Sequence, residues 1–480
     1  MYQRFVILLG FLISTTGLWA RSGIAQPQGE LELSLDDCIR IALNENPTIK
    51  INDMELERLD YSRKEVIGQL LPTVNFTGTY TRNVALQTIY INSASMSGMG
   101  GGASGSSSGS SSTAGESSSS SSSNNTSGMK MGRDNNYNVG FSATIPLVMP
   151  QLWKSIRLSE NQILQNMETA RANKLSLVNQ VKNAYYALLL AYDSRRVLEA
   201  SHATAKAHAE VYQKQYELGT ASEYDVLRAN VEVTNLEPSI LEAENVISQL
   251  KLQLKLLMGM DVRLEMSPSQ HLDDFKGMMY DRAMALTDTT LTANTSLKSL
   301  DLKTDYLRKS LDMQKASFYP TLSGTANYMW NSMSNGNPFR NFRWSGVSAV
   351  AVTLSIPLFT GGQRYHRVKQ AEIALKEMRW QRENLERSLH IQVQTQLDNI
   401  TKSIKQIESN NAGVTQAEKA NQIMQESFRI GAATFIQLRD TDDALLSARL
   451  SYYQAIYNYL VAQSDLEHVL GNCSYVAENK

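Results

Sequence analysis

Cysteine is nearly absent from this sequence of 480 residues, occurring only at Cys38 and Cys473. Two cysteines rule out a fold built on a disulfide framework. They leave two outcomes open, a single bridge between the two ends of the chain or two separate buried thiols. Cys38 follows Asp36 and Asp37, a context unlike that of the lipidated first residue of a lipoprotein.

Net charge and long apolar runs are lacking as well. Lys and Arg number 46 against 47 Asp and Glu, for a net charge of −1, and this balance argues against nucleic acid as a partner. The one long apolar run lies at the N-terminus and ends in small residues at Ala25, so we interpret 1–25 as a signal peptide. Elsewhere no run approaches the roughly 18 apolar residues of a spanning helix. We therefore expect a protein that leaves the cytoplasm without a helical anchor.

Groups of catalytic or metal-binding residues are also missing. No two histidines have the i, i+4 spacing of a helical metal site, and no carboxylate pair or nucleophile elbow accompanies them. GGQR at 361–364 lacks the Lys and the spacing of a phosphate-binding loop. We expect no enzyme activity, no cofactor and no metal site. The six histidines are His202, His208, His271, His366, His390 and His468.

The sequence does contain one long pattern twice. LLPTVNFTGTY at 70–80 returns as FYPTLSGTANY at 318–328, and YELGTASEYDVLRA at 216–229 returns as FRIGAATFIQLRDT at 428–441. The unit is more than about 200 residues long, too long for a solenoid repeat, and indicates a duplicated and fused ancestral half. We divide the chain into a first repeat at 26–258, an equatorial connector at 259–280, a second repeat at 281–470 and a tail at 471–480.

Each repeat contains two stretches in which apolar and polar residues alternate. A period of two is typical of a strand with one apolar face and one wet face. The pattern predicts strands at 72–91 and 135–147 in the first repeat and at 320–332 and 342–357 in the second. Between the first two strands, 93–128 is rich in Ser and Gly and cannot bury enough apolar surface to offset the entropy of ordering. We interpret it as a disordered loop. Met96, Met99, Met129 and Met131 lie at or near its ends, and their thioethers would suit soft metal ions.

Helices account for most of the remaining pattern. Long helices are predicted at 152–216 and 363–428, where there is no Pro and the only Gly is Gly413. Return helices are predicted at 222–258 and 434–470. Apolar residues of the second long helix follow the four-and-three spacing of a coiled-coil seam; they are Val393, Leu397, Ile400, Ile404, Ile407 and Val414.

The helices pair into two helical hairpins. Each long helix meets its return helix at a Gly, Gly219 or Gly431, followed by an N-cap, Ser222 or Thr434. Two shorter helices lead into the first strand of each repeat. They are predicted at 34–70, with an interruption before Pro47, and at 281–318.

Strands with one apolar face belong in a membrane only as a closed barrel, because an open edge in lipid leaves backbone groups without partners. Four strands cannot close a barrel with a lumen, whereas three chains would supply twelve. The predicted fold class is therefore an α+β membrane protein with an internal two-fold repeat. Each chain contributes four antiparallel β-strands to a twelve-stranded transmembrane barrel, with long coiled-coil hairpins beneath it.

The chain resembles the TolC family of outer-membrane exit ducts. The matching features are Pro-Thr strand entries at 72–73 and 320–321, the strand-to-helix signature SIPLFTGGQ at 355–363, and the tip motif Tyr/Phe-x-x-Gly-x-x-Ser/Thr at 216–222 and 428–434. The first copy departs from the signature, reading TIPLVMPQLW. The resemblance implies a homotrimer in the outer membrane of a Gram-negative cell, in contact with lipid and with a large periplasmic portion. In that portion the coiled-coil hairpins would form a periplasmic α-barrel, and the Ser/Gly loop at 93–128 would be extracellular. It also implies a passive conduit of a tripartite efflux or type I secretion system, opened by a periplasmic adaptor and an inner-membrane pump.

The resemblance further implies roles for the hairpin ends. In the family, a ring of Asp after the second tip narrows the tunnel; here the stretch reads QLRD, so Asp440 carries over and Gln437 replaces the first Asp. Asp225 is the corresponding acid of the first copy. The same residues also read as helix caps or solvated charges. The residues implied to contact the adaptor are Gly219, Thr220, Ala221, Ser222, Gly431, Ala432, Ala433 and Thr434.

Two other classes of protein compete with the conduit. A periplasmic spacer or adhesin stalk would explain the coiled-coil spacing but not the strands with an apolar face. An enzyme would need a site that the sequence does not offer. The conduit explains the strands, the helices and the repeat together.

Overall fold

The computed structural model describes residues 31–90, 128–277, 290–335, 343–472 and residue 475. The predicted signal peptide at 1–25, all but the last residue of the Ser/Gly loop at 93–128, and Cys473 lie outside these residues. The same holds for most of the tail at 471–480 and for part of the connector at 259–280.

Within the described residues the fold is mostly helical, with a small antiparallel sheet. The helices are α1 (Leu35–Glu45), α2 (Pro47–Gly68), α3 (Pro150–Glu217), α4 (Glu223–Met258), α5 (Thr295–Ala316), α6 (Gln363–Arg429) and α7 (Phe435–Leu470). The strands are β1 (Leu31–Leu33), β2 (Thr73–Arg82), β3 (Gln87–Tyr90), β4 (Gly128–Met131), β5 (Asn135–Val148), β6 (Met266–Pro268), β7 (Thr321–Ser334) and β8 (Ser345–Ser355). None of the helices in the described ranges is both long enough and apolar enough to cross a bilayer.

The short strands β1, β4 and β6 were not predicted, and two predicted elements have different bounds. The single strand predicted at 72–91 is divided into β2 and β3, because Asn83 leaves the ladder and its side-chain amide donates to the Arg133 carbonyl oxygen at 2.9 Å. The helix predicted at 281–318 begins only at Thr295, after a short 3₁₀ turn at Leu291–Ala293. Residues 281–289 lie outside the described residues.

The sheet has the strand order β2-β5-β7-β8, and each neighbouring pair is antiparallel. Directly opposed residues share a face. Val74 is opposite Ala143, and Phe76 is opposite Phe141, so one face is apolar. The other face has Thr and Asn along β2 and matches the predicted alternation. It carries Thr73, Asn75, Thr77, Thr79, Thr81, Asn136, Asn138, Gly140, Ser142, Thr144, Thr321, Ser323, Thr325, Asn327, Met329, Asn331, Met333, Ser345, Val347, Ala349, Ala351, Thr353 and Ser355.

Both outer edges of this sheet are open. No strand of the described residues pairs with the free edge of β2 or with that of β8. A strand edge with unpaired N–H and C=O groups is a template for pairing with another strand. The sheet therefore has two surfaces at which a further copy of the chain could continue the ladder.

The chain folds into two compact units that cut across the sequence repeat. Within the described residues, one unit comprises 31–52, 170–277, 290–295, 387–472 and residue 475, and the other comprises 53–90, 128–169, 296–335 and 343–386. The first is mostly helical and also contains the short parallel pair β1–β6, and its core includes Tyr185, Leu188, Ile456 and Tyr459. The second contains the sheet. Each sequence repeat thus contributes to both units, because its strands pack together with those of the other repeat and its hairpins do likewise.

The predicted coiled-coil seam of α6 lies in the helical core. Val393, Ile400 and Ile407 are buried, and Leu397, Ile404 and Val414 are half-buried against the same core. Their four-and-three spacing keeps one stripe of α6 facing its neighbours. Cys38 is also fully buried here, and burial raises the pKa of its thiol to about 12.

A joint that the sequence analysis missed occurs once in each repeat. The side-chain amide of buried Asn46 donates to the Leu257 carbonyl oxygen at 2.7 Å, and that of buried Asn294 donates to the Val469 carbonyl oxygen at 2.6 Å. In both cases the return helix ends two residues later at a left-handed Gly, Gly259 or Gly471. The two joints fix the C-terminal ends of α4 and α7 in the same way.

Candidate functional site at the ends of the helical hairpins

The turn at the end of the first hairpin follows from a single glycine. Gly219 has a φ of 75°, a left-handed conformation that costs an L-residue with a side chain. Its N–H donates to the Tyr216 carbonyl oxygen at 2.9 Å, and the Thr220 N–H donates to the Gln215 carbonyl oxygen at 2.8 Å. This pair of bonds is a Schellman motif, which satisfies the last carbonyls of α3 and ends the helix.

The second hairpin repeats this geometry. Gly431 has a φ of 78°, its N–H donates to the Phe428 carbonyl oxygen at 3.0 Å, and the Ala432 N–H donates to the Ser427 carbonyl oxygen at 2.8 Å. The tips are therefore structurally equivalent although their sequences differ at most positions. The predicted adaptor-contacting residues lie in these two turns, and Thr220, Ser222, Ala432 and Thr434 are exposed.

Both return helices begin with a capping box. The Ser222 hydroxyl oxygen accepts from the Asp225 N–H at 3.3 Å, and the Asp225 carboxylate accepts from the Ser222 N–H at 3.3 Å. At the second tip, the Gln437 side-chain oxygen accepts from the Thr434 N–H at 2.9 Å, and the Thr434 hydroxyl oxygen accepts from the Gln437 N–H at 3.4 Å. These bonds satisfy backbone donors that the first turn of a helix leaves without partners.

The capping boxes bear directly on the predicted gate. Asp225 and Gln437, two of its three residues, are the third residues of the two boxes and bond to their own helix N-termini. Asp440 takes no part in a cap. Its side chain is 59% exposed and lies 3.2 Å from the Arg439 guanidinium. Of the three, Asp440 alone has a carboxylate that is not used in ending a hairpin turn.

Aromatic side chains join the two hairpins behind the tips. The Tyr212 ring of α3 lies 5.8 Å from the Phe428 ring of α6 and 5.0 Å from the Phe435 ring of α7. Val226 and Ala229 of α4 complete this small buried cluster. Aromatic pairs of this geometry add stabilising free energy beyond that of ordinary apolar burial. They therefore stabilise the packing of the two hairpin tips of one chain against each other.

An acidic cluster that the sequence analysis did not single out lies next to these aromatics. It comprises Glu232 of α4 with Asp440, Asp442 and Asp443 of α7, and Arg439 is its central cation. His208 of α3 is 3.4 Å from the Asp442 carboxylate, and Asn421 of α6 donates to the same carboxylate at 2.6 Å. All four helices of the two hairpins therefore contribute to one polar cluster.

The electrostatics of this cluster disfavour further negative charge. Burial raises the pKa of the Glu232 carboxyl, and the Asp443 carboxylate adds to the rise, while Arg439 opposes it. Burial likewise raises the pKa of Asp443, with Asp440 and Asp442 adding and Arg439 opposing. Four carboxylates outnumber the guanidinium groups of Arg439 and Arg228 and favour cations in the adjoining space.

The run RDTDD at 439–443 is the sequence signal that could have located the cluster on α7. Nothing in the sequence around Glu232 or His208 indicates that they lie close to residues 439–443. Their proximity depends on how each of the four helices is rotated about its axis. Nothing in the described part of the chain groups three or more His, Cys, Asp or Glu side chains in a way that would hold a metal ion.

Comparison of the sequence with known proteins identifies a matching family. The model of the outer membrane efflux protein family matches residues 110–260 and 286–472. The outer membrane protein TolC of Vibrio cholerae is 24% identical over 347 residues, which cover 70% of this chain and 77% of that protein. The alkaline protease secretion protein AprF of Pseudomonas aeruginosa is 24% identical over 344 residues, which cover 71% of this chain and 71% of that protein.

A solved structure shares the fold. The Campylobacter jejuni CmeC outer membrane channel aligns with a TM-score of 0.69 at 15% identity, over 93% of this chain and 88% of that chain. At this identity the likeness concerns the fold alone. The family match, however, covers well over half of the sequence, including both helical hairpins. The chain therefore belongs to the outer membrane efflux protein family and is a protein of the outer membrane.

Proposed function

We propose that three copies of this chain form a passive exit duct, in which the sheets close a twelve-stranded barrel in the outer membrane and the hairpins form a periplasmic tunnel. The duct serves efflux or secretion and carries no catalytic chemistry of its own. A periplasmic adaptor and an inner-membrane pump supply the opening and the energy.

The observation that carries this proposal is the sheet with one apolar face and two open edges. Lipid requires that every backbone polar group be bonded, so a sheet exposed to it must close on itself. The edges belong to β2 and β8, and alternating strand directions let β8 of one copy pair antiparallel with β2 of the next. Three four-stranded sheets would supply the twelve strands of a barrel with a polar lumen.

The hairpin ends support the proposed contact with an adaptor. Two turns of equivalent geometry, each with exposed small side chains, present the same backbone surface twice in every chain. Three chains would present six such turns, a ring on which a repeated partner could dock. Small side chains let a partner approach the backbone closely, so bulky side chains at Ala432 or Thr220 would obstruct the docking.

We assign the proposed gate to one residue, because the capping boxes use the side chains of Asp225 and Gln437. Asp225 and Gln437 are retained as caps, and the gate charge is assigned to Asp440. Three copies of a carboxylate close to a narrow axis would attract cations and repel anions.

Trimeric closure can be tested by cross-linking the two sheet edges in outer-membrane vesicles. The variant carries Thr77→Cys in β2 and one Cys in β8, in a Cys473→Ser background, and is treated with a short bis-maleimide. We expect covalent dimers and trimers, and no larger species, for at least one β8 position, because a closed ring ends at three copies. The β8 positions to scan are Ser345, Val347, Ala349 and Ala351.

Matched controls make this test specific. Thr77→Cys alone should give only monomers, since its symmetry mates would lie across the lumen. A ladder that continues past trimers, or no cross-link at any scanned position in a protein that has inserted, would refute the closed twelve-stranded barrel.

A further inference from the structure

The four strands of the main sheet are almost free of charge. They contain one charged side chain, Arg82, which is the last residue of β2. The chain as a whole is 19% charged. On the polar face the absence is complete within the described residues; one ladder row runs from Thr73 through Thr144 and Thr325 to Ala351.

A wall of this kind differs physically from a charged pore lining. Hydroxyl and amide groups donate and accept hydrogen bonds, so they hold water or a polar cargo without a fixed charge. Fixed charges of one sign in a confined channel concentrate ions of the other sign, and a wall without them leaves the ions near their ratio in bulk solution. The polar face is therefore wettable and electrostatically neutral.

A cluster of charged side chains lies in the helical unit and not in the sheet. The acidic cluster of the helical unit brings together Glu232, Asp440, Asp442 and Asp443 around one central guanidinium. Charge discrimination and hydrogen bonding are thus assigned to different units of the same chain.

We propose that the barrel section of the duct is a neutral hydrogen-bonding conduit that passes anionic and cationic cargo equally, so that any charge selection takes place in the helical unit. This inference rests on the proposed function, since it takes the polar face of the sheet as the lumen wall. The cargo that fits this wall is large, hydrated and of either charge sign. Most of its polar contacts with the wall are made with the hydroxyl and amide groups of Thr, Ser and Asn.

The test measures how fast cationic and anionic thiol reagents reach each face of the sheet. Thr77→Cys and Thr325→Cys place a thiol on the polar face, and Ala326→Cys places one on the apolar face of the same strand. All three are made with Cys473→Ser; Cys38 is fully buried and remains a thiol, with its pKa raised to about 12. The full chain is reconstituted in phosphatidylcholine vesicles at 0.15 M salt, where charges farther than about 8 Å are screened.

The probes are the trimethylammonium-ethyl and sulfonato-ethyl methanethiosulfonates, with each rate divided by its rate on free 2-mercaptoethanol. We expect the two normalised rates to agree within about twofold at both polar-face positions, because no fixed charge lies on the wall to favour either sign. We expect no modification at Ala326→Cys, which would face lipid.

Two contrary results would mean different things. A preference of about tenfold or more for one sign at both polar-face positions would overturn the neutral wall and leave the duct intact. No modification at either polar-face position, or equal modification of both faces, would overturn the lumen assignment and with it the proposed function. Adding Asn327→Asp to Thr325→Cys calibrates the assay, since a carboxylate on the same face must favour the cationic reagent.

Discussion

In each helical hairpin, one glycine in a left-handed conformation ends the long helix. Gly219 and Gly431 have positive φ angles, and a Cβ built on either would meet no other atom within 4 Å. The requirement for glycine is therefore conformational and not steric. Gly259 differs in this respect, because a Cβ there would also clash sterically, 2.7 Å from the Glu45 carbonyl oxygen.

The conformational requirement at the tip can be isolated with two alanine substitutions. Gly431→Ala should destabilise the tip by about 1 kcal/mol, because an L-residue pays for the left-handed conformation. Gly413→Ala, in the interior of α6 and also without neighbours, should instead stabilise its helix by about 0.5–1 kcal/mol. The measurement is amide hydrogen exchange, which reports local opening.

In this comparison, amides 427–440 of Gly431→Ala should exchange about fivefold faster than in the wild type, the factor that 1 kcal/mol gives. Amides around Gly413→Ala should exchange more slowly. Unchanged or slower exchange at the tip of Gly431→Ala would show that the left-handed conformation of residue 431 is not required to end α6.

At the residue scale, the sequence analysis identified the N-cap residues but not the second residue of each capping box. Ser222 and Thr434 were predicted as N-caps from their position after a Gly, and both cap their helices. The resemblance also implied gate roles for Asp225 and Gln437, and these side chains bond to the N-termini of their own helices. A Ser or Thr followed three residues later by an acid or amide is the local signal of a capping box, and it was available at both sites.

At the element scale, the four helices of the hairpins meet at the acidic cluster. Glu232 of α4 faces Asp442 and Asp443 of α7 with Arg439, near His208 of α3 and with Arg228 on its own helix. Its pKa in the folded chain lies above the ordinary value of 4.5. An acid whose folded pKa is raised binds more protons in the folded state, so its contribution to stability falls as pH rises through that window.

The cluster therefore predicts a pH-dependent effect of one substitution. Glu232→Gln should raise the unfolding temperature of the detergent-solubilised protein by about 1–2 °C at pH 7, since it removes an ionised group that the fold disfavours. At pH 4, below the ordinary value of 4.5, most of the Glu232 carboxyl is protonated in both states and the effect should become small. Glu242→Gln, on the exposed face of the same helix, is the matched control. A lower unfolding temperature at pH 7 would mean that the charge of Glu232 stabilises the cluster.

The strands show how far the periodic pattern determines an element. Alternation gave the faces of β2, β5, β7 and β8 because side-chain direction depends only on position along a strand. It did not give the break at Asn83, which depends on a hydrogen bond to Arg133 50 residues away. Local pattern could not show that β5 pairs with β7 and so joins the two repeats.

The repeated joint was missed for a similar reason. LNENPTIK at 43–50 and LTANTSLK at 291–298 share only Leu, Asn and Lys, which is too little to stand out by eye. Asn46 acts on a carbonyl 211 residues away, and Asn294 acts on one 175 residues away. Long-range side-chain contacts of this kind follow from the packing of helices and are not encoded in the spacing of neighbours.

At the scale of the whole molecule, the duplication and the compact units do not coincide. Both sequence repeats contribute strands to one unit and hairpins to the other. Strands from the two halves share one sheet, and hairpins from the two halves share one core. Both repeats are therefore needed to build the four-stranded sheet and the helical core, and the sheet keeps two open edges within the described residues.

Single-channel conductance of the purified full chain in a planar bilayer tests the central claim, that copies of this chain enclose a conduit. The account predicts small discrete steps that favour cations, with larger steps in Asp440→Ala, because the substitution removes the carboxylate assigned to the narrowest part of the tunnel. Protein that has inserted but gives no discrete steps, either as the wild type or as Asp440→Ala, would contradict the conduit.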